Sequence, residues 1–183
     1  MEINAVHSTI TTEAVDQAIR SSYPIQSRLG NLACTKVYKV WYPWYYCITS
    51  VKVETYFKKN IRYREVIAVD GRRRVRERKQ ALPEITTSFC MDGLMLEPKM
   101  PEEQASKEAI ELTKGRLLNG RKLLKDWLIT IKESRLLYSQ AYILQIGHPE
   151  PGQWVYMDPL YHGAYPLSLR PEILEPFLEQ GNA

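Results

Sequence analysis

Two neighbouring runs in which apolar and polar residues alternate constrain the fold of this chain more than any other feature. The first run ends near Phe57, and the second extends over residues 61–69. Successive side chains of a β-strand point to opposite faces, so this alternation predicts strands with one buried and one solvated face. The short connection Lys58-Lys59-Asn60 predicts that the two strands form an antiparallel hairpin. A turn at Asp70-Gly71, a dipeptide suited to positive φ, then leads to a third strand.

An aromatic segment, residues 41–46 with the sequence Trp-Tyr-Pro-Trp-Tyr-Tyr, leads into the first run. Flat aromatic rings stack on bases, sugars or proline-rich peptides. In a strand the rings of Tyr42, Trp44 and Tyr46 share one face, and we expect them to form an exposed binding row. The alternative is that these rings only pack in the interior.

Positive charge is concentrated between residues 58 and 79, which hold ten Lys/Arg and three Asp/Glu, whereas the whole chain has a formal net charge of +4. Charge gathered in one hairpin produces a directed positive field, which favours an anionic partner. The candidate contact residues of the hairpin itself are Lys58, Lys59, Arg62 and Arg64.

The arginine-rich segment, defined as residues 72–79, is the second part of this basic region. If it is a strand, alternate residues line one face about 7 Å apart. The candidate binding residues on that face are Arg72, Arg74, Arg76 and Arg78. Such a row suits an acidic protein or a phosphate backbone. The alternative is that the charges only protect a sheet edge from pairing with other chains.

Helical patterns occur at three places. Residues 11–19 predict a short amphipathic helix, and Pro171 to Gln180 predict a closing one. The longest signal starts at Pro101-Glu102-Glu103 and carries an apolar stripe through about Lys132. Leu118 and Leu123 fall off that stripe, so part of this helix is a candidate for contact with a second copy of the chain or with another protein. The alternative is that both sides of the helix pack in the core.

The predicted fold class is α+β, with two helix-plus-antiparallel-sheet halves that form a faint pseudo-repeat. Residues 1–80 would form a helix plus an antiparallel meander with a basic third strand. Residues 81–101 would be a linker. Residues 102–183 would form the long helix, a small antiparallel sheet with strands at 136–146 and 153–157, and the C-terminal helix.

Tyr42-Pro43-Trp44-Tyr45 opening a strand, with Val69-Asp70-Gly71 closing the next one behind a helix, resembles the PepSY-like and cystatin-like modules of a helix and a curved sheet. The resemblance covers residues 11–80. It implies that the chain binds proteins or peptides and acts as an inhibitor, chaperone or scaffold. Unlike these modules, the chain carries an arginine-rich segment and shows no export signal.

Several functional classes lack their signature in the sequence. No nucleotide-binding glycine loop or nucleophile elbow occurs, so we expect no enzyme activity and no cofactor. The three cysteines and three histidines lack metal-ligand spacing, and we expect no metal site. These residues are Cys34, Cys47, Cys90, His7, His148 and His162. No long apolar run or signal peptide occurs, which predicts a cytoplasmic protein without a membrane span.

The sequence therefore predicts a non-enzymatic binding or assembly module that engages an acidic protein partner through its basic hairpin and aromatic strand. A nucleic-acid-binding accessory protein that uses the same basic face is the alternative. The sequence has no RNP, KH, zinc-finger or helix-turn-helix signature, which favours the protein partner.

Overall fold

A computed structural model describes residues 2–6, 34–57, 60–89, 93–120, 124–146, 153–158 and 163–181. Most of these residues lie in β-strands. The strands are β1 (Glu2–Val6), β2 (Cys34–Thr55), β3 (Asn60–Asp70), β4 (Arg76–Lys79), β5 (Ile85–Phe89), β6 (Leu94–Met95), β7 (Leu124–Ile146), β8 (Gln153–Asp158) and β9 (Gly163–Pro166). The helices are α1 (Glu102–Gly120) and α2 (Pro171–Glu179), and a short 3-10 helix (Leu167–Leu169) precedes α2.

The strands form one mixed sheet with the hydrogen-bonded order β4-β3-β2-β7-β1-β5. β6 adds to β2 in parallel, β1 pairs with β7 in parallel, and β8 pairs with both β7 and β9 in antiparallel fashion. The chain is thus α+β, but the prediction of two helix-plus-antiparallel-sheet halves was wrong. A large mixed sheet dominates, and within the described ranges α1 and α2 are the two α-helices. The helix predicted at residues 11–19 lies outside the described residues.

The predicted long helix was wrong in its second part. α1 starts after Pro101 with two glutamates in its first turn, as predicted, but it ends at Gly120. Leu124 already belongs to β7, which continues for 23 residues. The apolar spacing between residues 117 and 131 fits a helix, yet glycine at the end of α1 and the β-branched residues 129–131 favour a helix stop followed by a strand.

Several shorter predictions were confirmed. β2 and β3 form the expected antiparallel hairpin, with paired residues from Trp44 opposite Asp70 to Glu54 opposite Asn60. β8 and α2 occur where the sequence predicted a strand and a helix. The strand predicted at residues 136–146 is the second half of β7.

The chain divides into two compact units, and each draws on several segments. Unit 1 contains Met1–Tyr42, Ile85–Leu96 and Tyr138–Ala183, and unit 2 contains Pro43–Glu84 and Glu97–Leu137. β2 and β7 each contribute residues to both units. Residues 81–101, expected to be a linker, include β5 and β6.

The core of unit 2 lies between α1 and one face of the β2–β3 hairpin. Alternate residues of the hairpin pack with small α1 residues, which allow the helix to approach the sheet closely. One buried cluster contains Tyr45, Cys47, Ile67, Val69, Met100, Ala105 and Ala109, and a second contains Val51, Val53 and Leu117. This side of the sheet is called the helix-facing side below. The other side is called the outer face.

Pro43 and Gly71 close the inner end of this hairpin by a close backbone approach. The Gly71 N–H donates to the Pro43 carbonyl oxygen at 3.0 Å. A Cβ added to Gly71 would lie 2.8 Å from that oxygen, so glycine is required by lack of space. Gly71 does not have the positive φ that the sequence suggested, since Gly93 and Gly181 are the positive-φ glycines of the described residues. Because proline has no N–H to return to Gly71, the Gly71 carbonyl oxygen accepts instead from Met100 N–H at 2.9 Å.

Unit 1 contains an aromatic cluster of its own. The rings of Tyr38, Trp154 and Phe177 lie with centroids 5.1 to 5.7 Å apart in tilted or edge-to-face arrangements. Phe177 and Ile173 of α2 are fully buried. These contacts attach the C-terminal helix to the strands of this unit.

Candidate functional site

The aromatic segment does not form an exposed row. Tyr42, Trp44 and Tyr46, predicted to bind a partner, are at most 2% exposed. Trp41 and Tyr45, on the alternate positions, are buried as well. β2 lies inside the sheet order, and at this segment both of its faces are covered. The expectation of an outward binding face was therefore wrong. It assumed that one face of this strand is exposed to solvent, whereas the rings on both faces are buried.

The arginine-rich segment does not form a continuous strand either. Residues 71–74 bend, and β4 covers only Arg76–Lys79. The predicted row of Arg72, Arg74, Arg76 and Arg78 on one face is therefore absent. β4 lies at the end of the sheet order, where its charged residues protect an edge.

Most of these arginines bind acceptors within unit 2. Arg72 Nη1 donates to the Glu97 carbonyl oxygen at 2.6 Å, and Arg73 Nε lies 3.0 Å from Asp70 Oδ2. Arg76 and Arg78 pair across β4 with Val69 and Ile67, so they project to the helix-facing side. There they meet acids, with Arg76 Nη1 2.5 Å from Glu108 Oε2 and Arg78 Nε 3.5 Å from Glu65 Oε1. Arg74 is exposed and has no such acceptor within the described ranges.

A cation cluster without internal acids lies on the outer face of the hairpin. Lys52 is directly opposite Arg62, and Arg64 follows two residues later opposite Ser50. Directly opposed residues project to the same face, and residues two apart lie about 7 Å from each other. All three cations are exposed, and none forms an ion pair or hydrogen bond with another described residue. The cluster Lys52, Arg62 and Arg64 is called the hairpin cation cluster below.

The nearest acid in this row is already engaged. Glu54 Oε1 accepts from Lys125 Nζ at 2.7 Å. The hairpin cation cluster therefore keeps its net positive charge. Like charges directly opposite each other destabilise a sheet, whereas an opposite-charge pair contributes about 0.2–1 kcal/mol relative to an Ala–Ala pair. We therefore expect the pair of Lys52 and Arg62 to lower the stability of the hairpin.

A shallow cleft of about 250 Å³ lies beside the cluster. It is lined by Lys52, Val53, Glu54, Asn60, Ile61, Arg62, Asp126, Trp127 and Leu128. Trp127 and Leu128 are 38% and 53% exposed, and in the connection between β2 and β3 Tyr56 and Phe57 are 67% and 72% exposed. Exposed aromatic and aliphatic groups beside cations are typical of surfaces that bind other macromolecules.

Sequence reasoning found Arg62 and Arg64 but missed Lys52, Trp127 and Leu128. Lys52 was visible in principle, since the hairpin connection fixes its position opposite Arg62. Trp127 and Leu128 were assigned to the helical stripe. Lys58 and Lys59 lie outside the described residues, and so do the three histidines.

Cys47 is the cysteine whose side chain the structure describes, and this side chain is fully buried. Burial raises the pKa of its thiol, and hydrogen bonding with Ser134 and Ser106 offsets only part of that effect. A raised pKa disfavours the reactive thiolate. Cys47 is therefore a core residue. Within the described ranges, no group of three or more His, Cys, Asp or Glu is placed to hold a metal ion.

Arg170 in unit 1 differs from the exposed Arg62 and Arg64, because its guanidinium group is largely buried. Its Cζ atom lies 4.5 Å from the centre of the Tyr156 ring and 5.6 Å from that of Tyr42, and its Nε donates to Glu172. Burial alone lowers the pKa of Arg170, but Tyr156 and Glu172 outweigh it and the net pKa is raised. The Tyr156 hydroxyl donates to Asp158 Oδ2 at 3.1 Å. Burial first, and then the Asp158 charge, raise the pKa of Tyr156 well above its ordinary value.

None of the helices in the described part of the chain is long and apolar enough to span a membrane. Comparisons with known proteins found no family model, no curated protein and no solved structure that matches this chain. The resemblance to PepSY-like and cystatin-like modules stays a prediction.

Proposed function

We propose that this protein is a non-enzymatic binding or assembly module that engages an acidic protein partner on the outer face of the β2–β3 hairpin. The observation that carries the proposal is the hairpin cation cluster. Its three charges are exposed and adjacent, and none of them forms an ion pair within the described part of the chain. An anionic partner would remove the repulsion between Lys52 and Arg62 and so gain affinity from it.

The surroundings of the cluster favour a protein over a nucleic acid. The cleft next to the cluster includes the exposed Asp126 together with Trp127 and Leu128. A nucleic acid carries negative charge at every phosphate, so its backbone would meet the Asp126 carboxylate as well as the cations. A protein segment with separate acidic and apolar side chains fits both parts of the surface.

The proposed contact surface, on the outer face of the hairpin, differs from the surface that the sequence predicted. The arginines of the arginine-rich segment mostly bind their own unit, and the rings of the aromatic segment are buried. Arg62 and Arg64 remain from the predicted set, and Lys52 joins them. The exposed rings that accompany the cations are Tyr56, Phe57 and Trp127.

The test compares two triple variants that lose the same charge. The first variant combines Lys52→Ala, Arg62→Ala and Arg64→Ala. The control variant combines Lys107→Ala, Lys114→Ala and Arg135→Ala, whose exposed cations each pair with a glutamate. Binding of a fluorescent octapeptide of alternating glutamate and valine is measured by anisotropy at two salt concentrations.

We expect the hairpin variant to bind at least tenfold more weakly and the control variant to stay within about threefold of the parent chain. Equal losses in both variants would show that only net charge matters, and the proposal would fail. A single-stranded thymidine 20-mer is measured in parallel. If it binds more tightly than the peptide and loses affinity in the hairpin variant alone, the nucleic-acid alternative replaces the proposal.

A further inference from the structure

β3 is longer than the strand that covers its outer edge. β2 pairs with β3 from Asn60 to Asp70, whereas β4 pairs with β3 only at residues 66–69. Among the described residues, 60–65 therefore have no strand partner on the β4 side. An uncovered edge of this kind presents backbone N–H and C=O groups to any extended chain that approaches it. This stretch is called the open edge below.

Two backbone hydrogen bonds fix which residues face the open edge. The Asp70 N–H donates to the Val75 carbonyl oxygen at 2.8 Å, toward the β4 side, whereas the Gly71 N–H donates to Pro43 on β2. Successive backbone amides of a strand point to opposite edges. Arg62 and Arg64 therefore share the direction of Asp70, and their N–H and C=O groups face the open edge. These are also two of the three residues of the hairpin cation cluster.

A second cleft, of about 530 Å³, runs along the helix-facing side of the open edge. Its lining includes Tyr63, Glu65, Arg78, Arg116 and Leu117. Arg116 Nη1 and Arg78 Nε lie 3.0 and 3.5 Å from the same atom, Glu65 Oε1. Two guanidinium groups thus share one carboxylate, and this cleft also has an excess of positive charge.

Glu65 marks the cleft as incomplete. Its side chain is 5% exposed, and its second oxygen, Oε2, is buried without a hydrogen-bond partner in the part of the chain that the structure describes. Buried acceptors in native proteins nearly always have a donor, so such an atom calls for an explanation. A donor brought by an occupant of the cleft supplies one.

We propose that the acidic partner binds as an extended segment that adds to the open edge of β3 as a further strand. This inference rests on the proposed function and names its binding mode. Backbone hydrogen bonds to Arg62 and Arg64 supply affinity, and the alternating side chains of the added segment reach both faces. Acidic side chains meet the hairpin cation cluster on the outer face or the Arg78–Arg116 pair on the helix-facing side.

Charge selects an acidic segment over a second copy of this chain. An antiparallel contact between two copies of the open edge would place Arg62 and Arg64 against the same cations of the other copy. Like charges across a strand pair are unfavourable, whereas opposite charges stabilise it. The arginines thus disfavour self-pairing and leave the edge available to an acidic strand.

The test keeps the charges of the probe and removes its backbone donors. The full chain is titrated with the glutamate–valine octapeptide, acetylated and amidated at its ends, and with the same peptide N-methylated at every backbone nitrogen. We expect the methylated peptide to bind at least tenfold more weakly. Equal binding of both peptides would overturn strand addition while leaving the proposed function intact, and binding of neither peptide would remove both.

Amide hydrogen exchange followed by NMR locates the added strand. We expect the amides of Arg62 and Arg64 to exchange at least tenfold more slowly with the unmodified peptide present. The amides of Ile61 and Tyr63 point toward β2 and serve as internal controls that change little. Unchanged exchange at Arg62 and Arg64, or a dimer of the free chain in sedimentation velocity that the peptide dissociates, would each overturn the inference.

Discussion

Arg170 in unit 1 and the pair Arg62 and Arg64 in unit 2 show two opposite uses of the same side chain. The Arg170 side chain is 11% exposed and lies over two tyrosine rings beside Glu172. Arg62 and Arg64 are exposed and have no acid partner in the described ranges. The first guanidinium is part of the interior of its unit, and the second two are presented to solvent. Arginine density along the sequence therefore says little about binding until the partners of each side chain are known.

Replacement of Arg170 tests the structural side of this comparison and should give the largest effect. We expect Arg170→Ala to lower the free energy of unfolding by about 3–4 kcal/mol, because it removes packing over two rings and the largely buried ion pair with Glu172. Arg170→Lys keeps the charge but not the planar group, and about half of the loss should remain. Urea denaturation measures both. A loss below about 1 kcal/mol for Arg170→Ala would mean that the buried cation is not structural.

The tyrosine under Arg170 gives a pH-dependent counterpart. The pKa of Tyr156 is raised in the folded chain, so above about pH 10 the unfolded chain ionises this group while the folded chain keeps its proton. Stability contributed by neutral Tyr156 is complete below pH 10 and is lost as the pH rises above it, by up to about 1.4 kcal/mol per pH unit. We expect Tyr156→Phe to flatten the fall in stability between pH 10 and 11. Tyr165→Phe, which removes the same hydroxyl group from an exposed ring, is the matched control, and the difference in slope between the two variants is the quantity that tests Tyr156.

The smallest effect on stability is expected at the hairpin cation cluster, and its sign should be reversed. Arg62→Glu places an acid directly opposite Lys52, and we expect it to raise the free energy of unfolding by about 0.2–1 kcal/mol while it weakens binding of the acidic octapeptide. Arg74→Glu is the matched control, because Arg74 is exposed in a bend and lies opposite no cation. If Arg62→Glu instead lowers the free energy of unfolding, Lys52 and Arg62 do not repel each other measurably in the folded chain. Arg62 would then contribute to stability, as Arg170 does.

The sequence was sufficient to predict the parts of the fold that depend on local periodicity. The β2–β3 hairpin followed from alternation and a short connection, and α2 followed from Pro171 at its first position. The position of Lys52 directly opposite Arg62 could also have been predicted, because the short connection sets the register of the hairpin. Arg62 and Arg64 were accordingly found as exposed candidates.

The remaining errors have a shared physical origin in contacts that are distant along the chain. Alternation cannot distinguish a half-buried strand from one covered on both faces, so the burial of Tyr42 and Trp44 was missed. The acids that bind Arg76 and Arg78 lie on α1 and β3, and no local pattern connects them to β4. The apolar spacing after Gly120 is compatible with a helix, but this segment forms β7, because pairing with the other strands of the sheet outweighs the local helical pattern.

The division of β2 and β7 between the two units determines how this protein is to be dissected genetically. The chain passes from one unit to the other at residues 42–43, 84–85, 96–97 and 137–138, and the first and last of these crossings lie inside continuous strands. Truncating the gene from either end therefore removes residues of unit 1 first, and unit 2 is reached only after β2 or β7 has been cut. Residues 43–137 hold all of unit 2 together with the unit 1 segment Ile85–Leu96, so terminal deletions report on unit 1, and point substitutions are needed to probe the two units separately.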